Sequence, residues 1–284
     1  MLPEYLNYRL TGIVKKEYTN ASTTGMVSLA SKTFDSMIIE SLSLPNRLFT
    51  TLSYPGEIVG ELSPEIAHAV GGHTTVKLCA SHDTASAFES VDFDKDSMLL
   101  SSGTWSLLGL KSESGNVSNP SMNANFTNEG GVGYIRFLKN IMGLWIIGQL
   151  RKEYGLDYAE TERLARLSDY KTSFDVNDSL FTAPTKMSTA IIKWFTEHKI
   201  AAPNETKDII SSAYHSIAAS YKVAVDEIEA ITHNTYERLY IIGGGANDNY
   251  LNALTTRYTK KNVIAMPIEA TAIGNLKVQI TTEV

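Results

Sequence analysis

RLYIIGGGANDNYLNALTTRY, residues 238–258, reads as a strand, a glycine loop and a helix in immediate succession. NVIAMP (262–267) follows as a second strand and EATAIGNLKVQI (269–280) as a closing helix. Strands alternating with helices are the mark of an α/β domain. Just upstream, Ile210, Tyr214, Ile217, Tyr221, Ala224, Ile228 and Ile231 recur every three or four residues, which predicts a long amphipathic helix over 208–232.

Working towards the N-terminus, SMLLSSGTWSLLGLK (97–111) has two β-rich halves around Gly103-Thr104 and predicts a hairpin with backbone amides exposed at its tip. A glycine turn at Gly130-Gly131 precedes a helix expected from Leu138 to Tyr154, its apolar face including Ile141, Leu144, Trp145 and Leu150. Ile191, Ile192, Trp194 and Phe195 suggest another helix, and residues 35–42 a short one. TTVKLCA (74–80) reads as a buried strand that leads into a helix from Ala85 towards Val91, with Asp83 or Thr84 as its cap. The charged run DFDKD (92–96) divides the chain into two expected domains, 1–92 and 93–284.

The 284 residues carry a net charge of -6. That balance argues against a nucleic-acid partner, which needs a basic face to neutralise phosphates. Cys79, the only cysteine, lies in an apolar stretch and reads as a buried, inert thiol. MLPEYLNYRLTG lacks the apolar core of a signal peptide, and no run of about 18 apolar residues suggests a membrane span. A cytoplasmic protein is expected. The six histidines show no HExxH spacing and there is no GxSxG elbow, so neither a zinc site nor a hydrolase nucleophile is indicated. Trp105 and Trp145 read as core residues.

Three features carry chemistry. Gly243-Gly244-Gly245 ends a strand and opens a helix, where backbone can approach an anion closely, although such triplets also serve as plain tight turns. Gly103-Thr104 offers a hydroxyl and amides to a terminal phosphate, or is only a hairpin turn. Asp83 sits just past a predicted strand, where open α/β sheets bind ligands, and is either a proton acceptor or a helix cap. Beside it, His82 is a candidate hydrogen-bonder to a substrate.

In order and flanks the chain resembles the FGGY carbohydrate kinases, and within them the rhamnulokinase branch. The matching stretches are YLNYRLTG (5–12), EYTNAST (17–23), ASHDTASA (80–87), SSGTWSL (101–107), NEGG (128–131), RFLKNIMGLW (136–145), IIGGGANDNYLNALT (241–255) and PIEATAIGN (267–275). The resemblance implies an actin-like, RNase H-like ATPase fold in which a small sugar and Mg-ATP meet between two domains. Under it Asp83 is the catalytic base, and His82, Thr84 and Asn140 are sugar contacts. Thr104, with Gly103 beside it, takes the nucleotide phosphate position, and Gly244 and Gly245 the nucleotide loop. The implied reaction moves the γ-phosphate of ATP to O1 of L-rhamnulose, with no nucleic-acid or membrane partner and no resident metal ligands. Two departures stand out: Gly148 occupies a position where that branch commonly has a glutamine, and no Asp-Gly phosphate loop precedes Leu10. The chain is therefore expected to be a fragment with an incomplete first domain and impaired turnover. A kinase for another ketose such as L-fuculose, and a non-catalytic nucleotide- or sugar-binding remnant, are the alternatives.

Overall fold

The computed structural model describes residues 1–92, 94–266 and 269–281. Phe93 of the charged run, Pro267 and Ile268 before the closing helix, and residues 282–284 lie outside the described residues.

Short, capped elements make up the N-terminal part. Helix α1 (Leu2–Thr11) opens with a proline in its first turn and ends at Gly12, whose φ of 75° suits a left-handed C-cap. It buries none of its own residues. Strand β1 (Lys16–Glu17) leads into helix α2 (Tyr18–Ser22), which the Glu17 carboxylate caps, and Asp35 caps helix α3 (Ser36–Ser41). Strand β2 (Leu52–Ser53) lies parallel to β1. Strand β3 (Ile58–Glu61), helix α4 (Pro64–Val70) and strand β4 (Thr75–Lys77) follow, with β4 antiparallel to β3.

The buried strand expected over 74–80 is thus only three residues long. The Leu78 backbone instead bonds the loop at Gly56 and Glu57, which draws the chain out of the ladder while Leu78 and Ala80 stay buried. Cys79 is half-buried rather than buried, with burial pushing its thiol pKa up. Helix α5 (Asp83–Glu89) begins one residue earlier than a cap at Asp83 would require: His82 is the N-cap and Asp83 the first helical residue.

The rest of the chain is organised on one six-stranded sheet. Strands β5 (Ser97–Ser102) and β6 (Trp105–Ser112) form the expected hairpin. After helix α6 (Asn119–Asn123) come β7 (Phe126–Gly130) and β8 (Ile135–Met142). The helix expected from Leu138 therefore begins only at Trp145, as α7 (Trp145–Tyr154). Residues 135–138 are buried in succession, and an apolar run covered on both faces has no alternation to tell strand from helix.

Helices α8 (Tyr158–Leu167), α9 (Met187–Glu197) and α10 (Thr206–Thr232) precede strand β9 (Arg238–Ile242), helix α11 (Asn249–Thr259), strand β10 (Asn262–Ala265) and helix α12 (Ala270–Thr281). The sheet order is β10-β9-β5-β6-β8-β7, with β9 and β10 parallel to β5 and the other neighbours antiparallel. Met98 and Leu100 face a large core with Ile217 and Tyr221 of α10, whereas Leu99 faces a smaller one with Ala87, Phe88 and Ala270. Helices α5 and α12 share that second face. They touch backbone to backbone: a Cβ added at Gly274 would lie 1.7 Å from the Ser86 carbonyl oxygen. Trp105, at the first position of β6, is exposed rather than core. No helix among the described residues is long and apolar enough to cross a membrane.

Candidate active site

A cleft of about 840 Å³ opens at the C-terminal ends of the central strands β5 and β9, where the β5–β6 turn, the glycine loop and the start of α7 converge. Gly103, Thr104, Gly148, Gly244, Asn247 and Asp248 line it. The Gly103 and Thr104 carbonyls accept from the amides of residues 143–145, fixing the turn against the first turn of α7. Thr104 is exposed, and its hydroxyl makes no hydrogen bond among the described residues. At the glycine loop the three residues divide the work. Gly243 holds a φ of 80°, which glycine alone adopts readily, and a Cβ on Gly245 would lie 2.0 Å from Ser102 Oγ. Gly244 by contrast faces open space, with nothing within 4 Å of an added Cβ. Gly245 therefore packs the loop on β5, and Gly244 is the member that lines the cavity.

The far wall is charged and aromatic. Arg151 stacks over the Tyr158 ring at 3.3 Å, and Glu162 stands beside them. Asp248 caps α11 through Leu251 N (2.9 Å) and accepts from the Tyr214 hydroxyl (3.0 Å). Burial holds the Asp248 carboxyl above its ordinary range. Trp145, half-buried, donates from Nε1 to the Phe181 carbonyl and so spans the cleft wall and the core. A smaller cavity of about 170 Å³ shares Gly244 and Asn247 with the cleft and runs past Ala87 to Thr271. Thr271 Oγ1 donates to the Asp83 carbonyl oxygen at 3.3 Å, so this cavity ends on the helix that carries Asp83.

Asp83 itself projects from the first turn of α5 with its side chain 78% exposed. Oδ1 accepts from the Thr84 amide (2.6 Å) and hydroxyl (3.2 Å), and Oδ2 makes no hydrogen bond among the described residues. Thr84 is buried, with its hydroxyl turned to Asp83. Behind them, Glu17 accepts from Thr19 N and Oγ1, Asn20 N, and Ser81 N and Oγ, and Thr19 Oγ1 in turn accepts from His82 N. One buried carboxylate thereby ties α2 to the chain that enters α5. His82 faces β8, where Arg136 Nη1 stands 3.5 Å from His82 Nδ1. Asn140 is exposed on the same strand and, four residues on, shares Arg136's face roughly 13 Å farther along.

The residues singled out by sequence thus fall into two groups. His82, Asp83 and Thr84 are contiguous on α5, with Asn140 on the strand that His82 faces, and Gly103, Thr104 and Gly244 line the cleft. Between them lies the smaller cavity, lined by Gly244 on one side and by Ala87 of α5 and Thr271 on the other. Glu17, Arg136, Thr271 and the Arg151–Tyr158 stack escaped the sequence reading. The one available sign was a charge inside an apolar run, as in IRFL.

Compared with known proteins, residues 1–88 match the N-terminal domain of the FGGY family of carbohydrate kinases and residues 98–282 its C-terminal domain. The rhamnulokinase of Halalkalibacterium halodurans is 42% identical over 282 residues, covering 98% of this chain and 60% of that protein. That of Oceanobacillus iheyensis is 38% identical over 283 residues, 99% of this chain and 60% of its own length. The chain spans about 60% of the length of these curated relatives. Among solved structures, the ligand-bound xylulose kinase from Lactobacillus acidophilus superposes with a TM-score of 0.77 at 14% identity, over 98% of this chain and 58% of that one. The fold is the one expected from the resemblance.

Proposed function

The chain belongs to the FGGY family of carbohydrate kinases, and from that membership we propose that it serves an ATP-dependent transfer of phosphate to O1 of L-rhamnulose, giving L-rhamnulose 1-phosphate and ADP. The observation that carries this reading is Asp83: an open carboxylate at the start of a helix whose Ala87 lines a cavity that shares Gly244 and Asn247 with the cleft. The rhamnulokinase relatives favour L-rhamnulose as the acceptor. On this reading residues 1–92 form the sugar side, 93–284 the nucleotide side, and the cytoplasm, where ATP is plentiful, is the implied compartment.

The cleft fits a nucleotide. Gly244 leaves room for phosphate oxygens against the backbone, and the Thr104 hydroxyl stands on the turn that lines the same cleft, whereas the Gly103 amide is taken by the Trp105 carbonyl. Magnesium enters as part of the Mg-ATP substrate, carried on phosphate oxygens. Asp83 takes the proton of the O1 hydroxyl as that oxygen bonds the γ-phosphorus. The bond to the bridging oxygen breaks and ADP leaves. His82 and Asn140 orient the sugar, with Thr84 holding Asp83. A positioned base of this kind contributes about 10²- to 10⁴-fold.

The test is ADP release with Mg-ATP and L-rhamnulose, run beside Asp83→Asn. Turnover that falls about 10²-fold or more in the mutant supports the reading; turnover that survives it overturns the role of Asp83. A panel containing L-fuculose and other ketoses decides the acceptor.

A further inference from the structure

Arg136 on β8 is wholly buried. A cation stripped of water persists where each edge of its guanidinium has a partner. Nε donates to the Gly130 carbonyl at 2.9 Å, and Nη2 lies 3.0 Å from Glu129 Oε2 in an ion pair that lacks hydrogen-bond alignment. Nη1 points at His82 Nδ1, 3.5 Å away. A guanidinium can only donate, so the ring nitrogen it faces must present a lone pair. Asp83 Oδ1 stands 3.6 Å from that same nitrogen and asks the opposite, a proton there.

The two demands exclude each other, and position decides between them. Arg136 is anchored at its other edges and cut off from water. Asp83 is mostly solvated and already accepts from the Thr84 amide. The other charges near the ring are committed elsewhere: Glu129 to Arg136, and Glu17 to Thr19, Asn20 and Ser81. We propose that Arg136 is a positioning residue, holding His82 as the tautomer with a bare Nδ1 and a protonated Nε2, so that His82 offers a donor and the Asp83 carboxylate stays unpaired for a substrate hydroxyl. The consequence for Asp83 rests on the kinase reading; the tautomer does not. Burial first, and the Arg136 charge second, also hold the imidazole below its ordinary pKa against the pull of Asp83.

Long-range proton–nitrogen spectra of the 284-residue protein labelled with ¹⁵N at histidine read this directly, with His82→Gln assigning the signal among six histidines. At pH about 7 the expected result is the Nε2–H form in about tenfold excess or more, the ratio one charge-assisted hydrogen bond supports. In Asp83→Asn, which alters only an exposed group, that excess is retained. In Arg136→Met the Nδ1–H form gains. A wild-type ring protonated at Nδ1, a tautomer that changes in Asp83→Asn, or one unmoved in a folded Arg136→Met would each overturn the assignment. Because these spectra need no turnover, a failed kinase assay is a separate result.

Discussion

Gly244 is the residue at which binding can be separated from folding. A methyl group there meets nothing within 4 Å, so Gly244→Ala leaves the fold intact and intrudes only on the space of a bound phosphate. The expected outcome is an unchanged melting temperature with the KM for ATP raised about tenfold or more, since small misplacements at a transferring phosphate are costly. Its neighbour cannot make that separation, because Gly245→Ala drives a carbon into Ser102. Nothing in the triplet GGG tells these roles apart: the difference comes from β5, which lies more than 140 residues earlier in the chain. Asp83 was legible for the opposite reason. Its place between an apolar run and a helix is a local pattern, whereas Arg136 gains its meaning only when β8 is laid against the entry to α5.

Helices show the same contrast between local and distant causes. Helix α10 announces itself through its own periodicity, and α11 through the glycine loop that precedes it. Strand β8 does not, because both its ladder partners, β6 and β7, and the cover on its two faces come from elsewhere in the chain. Two glycines inside helices lead to opposite expectations. Gly148 in α7 has open space around it, so Gly148→Ala should raise stability by about 0.5–1 kcal/mol, seen as a higher denaturant midpoint. Gly274 in α12 has none. Gly274→Ala places a carbon on the Ser86 carbonyl and should cost about 3 kcal/mol, with loss of ADP release as α5 shifts. A variant at Gly274 that melts like the wild type would contradict the packing of α5 on α12.

For the molecule as a whole, acid stability turns on His215, buried in α10 with Nδ1 2.7 Å from the Tyr258 hydroxyl. Burial, then the Lys171 and Arg257 charges, push its pKa down to about 4. The unfolded chain keeps the ordinary value of about 6.5. Between those values the unfolded state binds more protons, so the contribution is complete above about pH 6.5 and is lost as pH falls towards about 4. Denaturant titrations across that window should lose roughly 3 kcal/mol, and His215→Gln should flatten the slope. An unchanged slope would place the acid sensitivity on carboxylates instead. The contact between α5 and α12 has a further consequence, in time rather than space. The Thr271–Asp83 hydrogen bond closes over 188 residues. At about 5–20 residues per second, a ribosome finishes Asp83 roughly 10–40 s before it supplies the helix on which Asp83 comes to rest. During that interval the nascent chain carries its acidic residue on a helix whose packing surface does not yet exist, and the smaller core is the last part of the site to close.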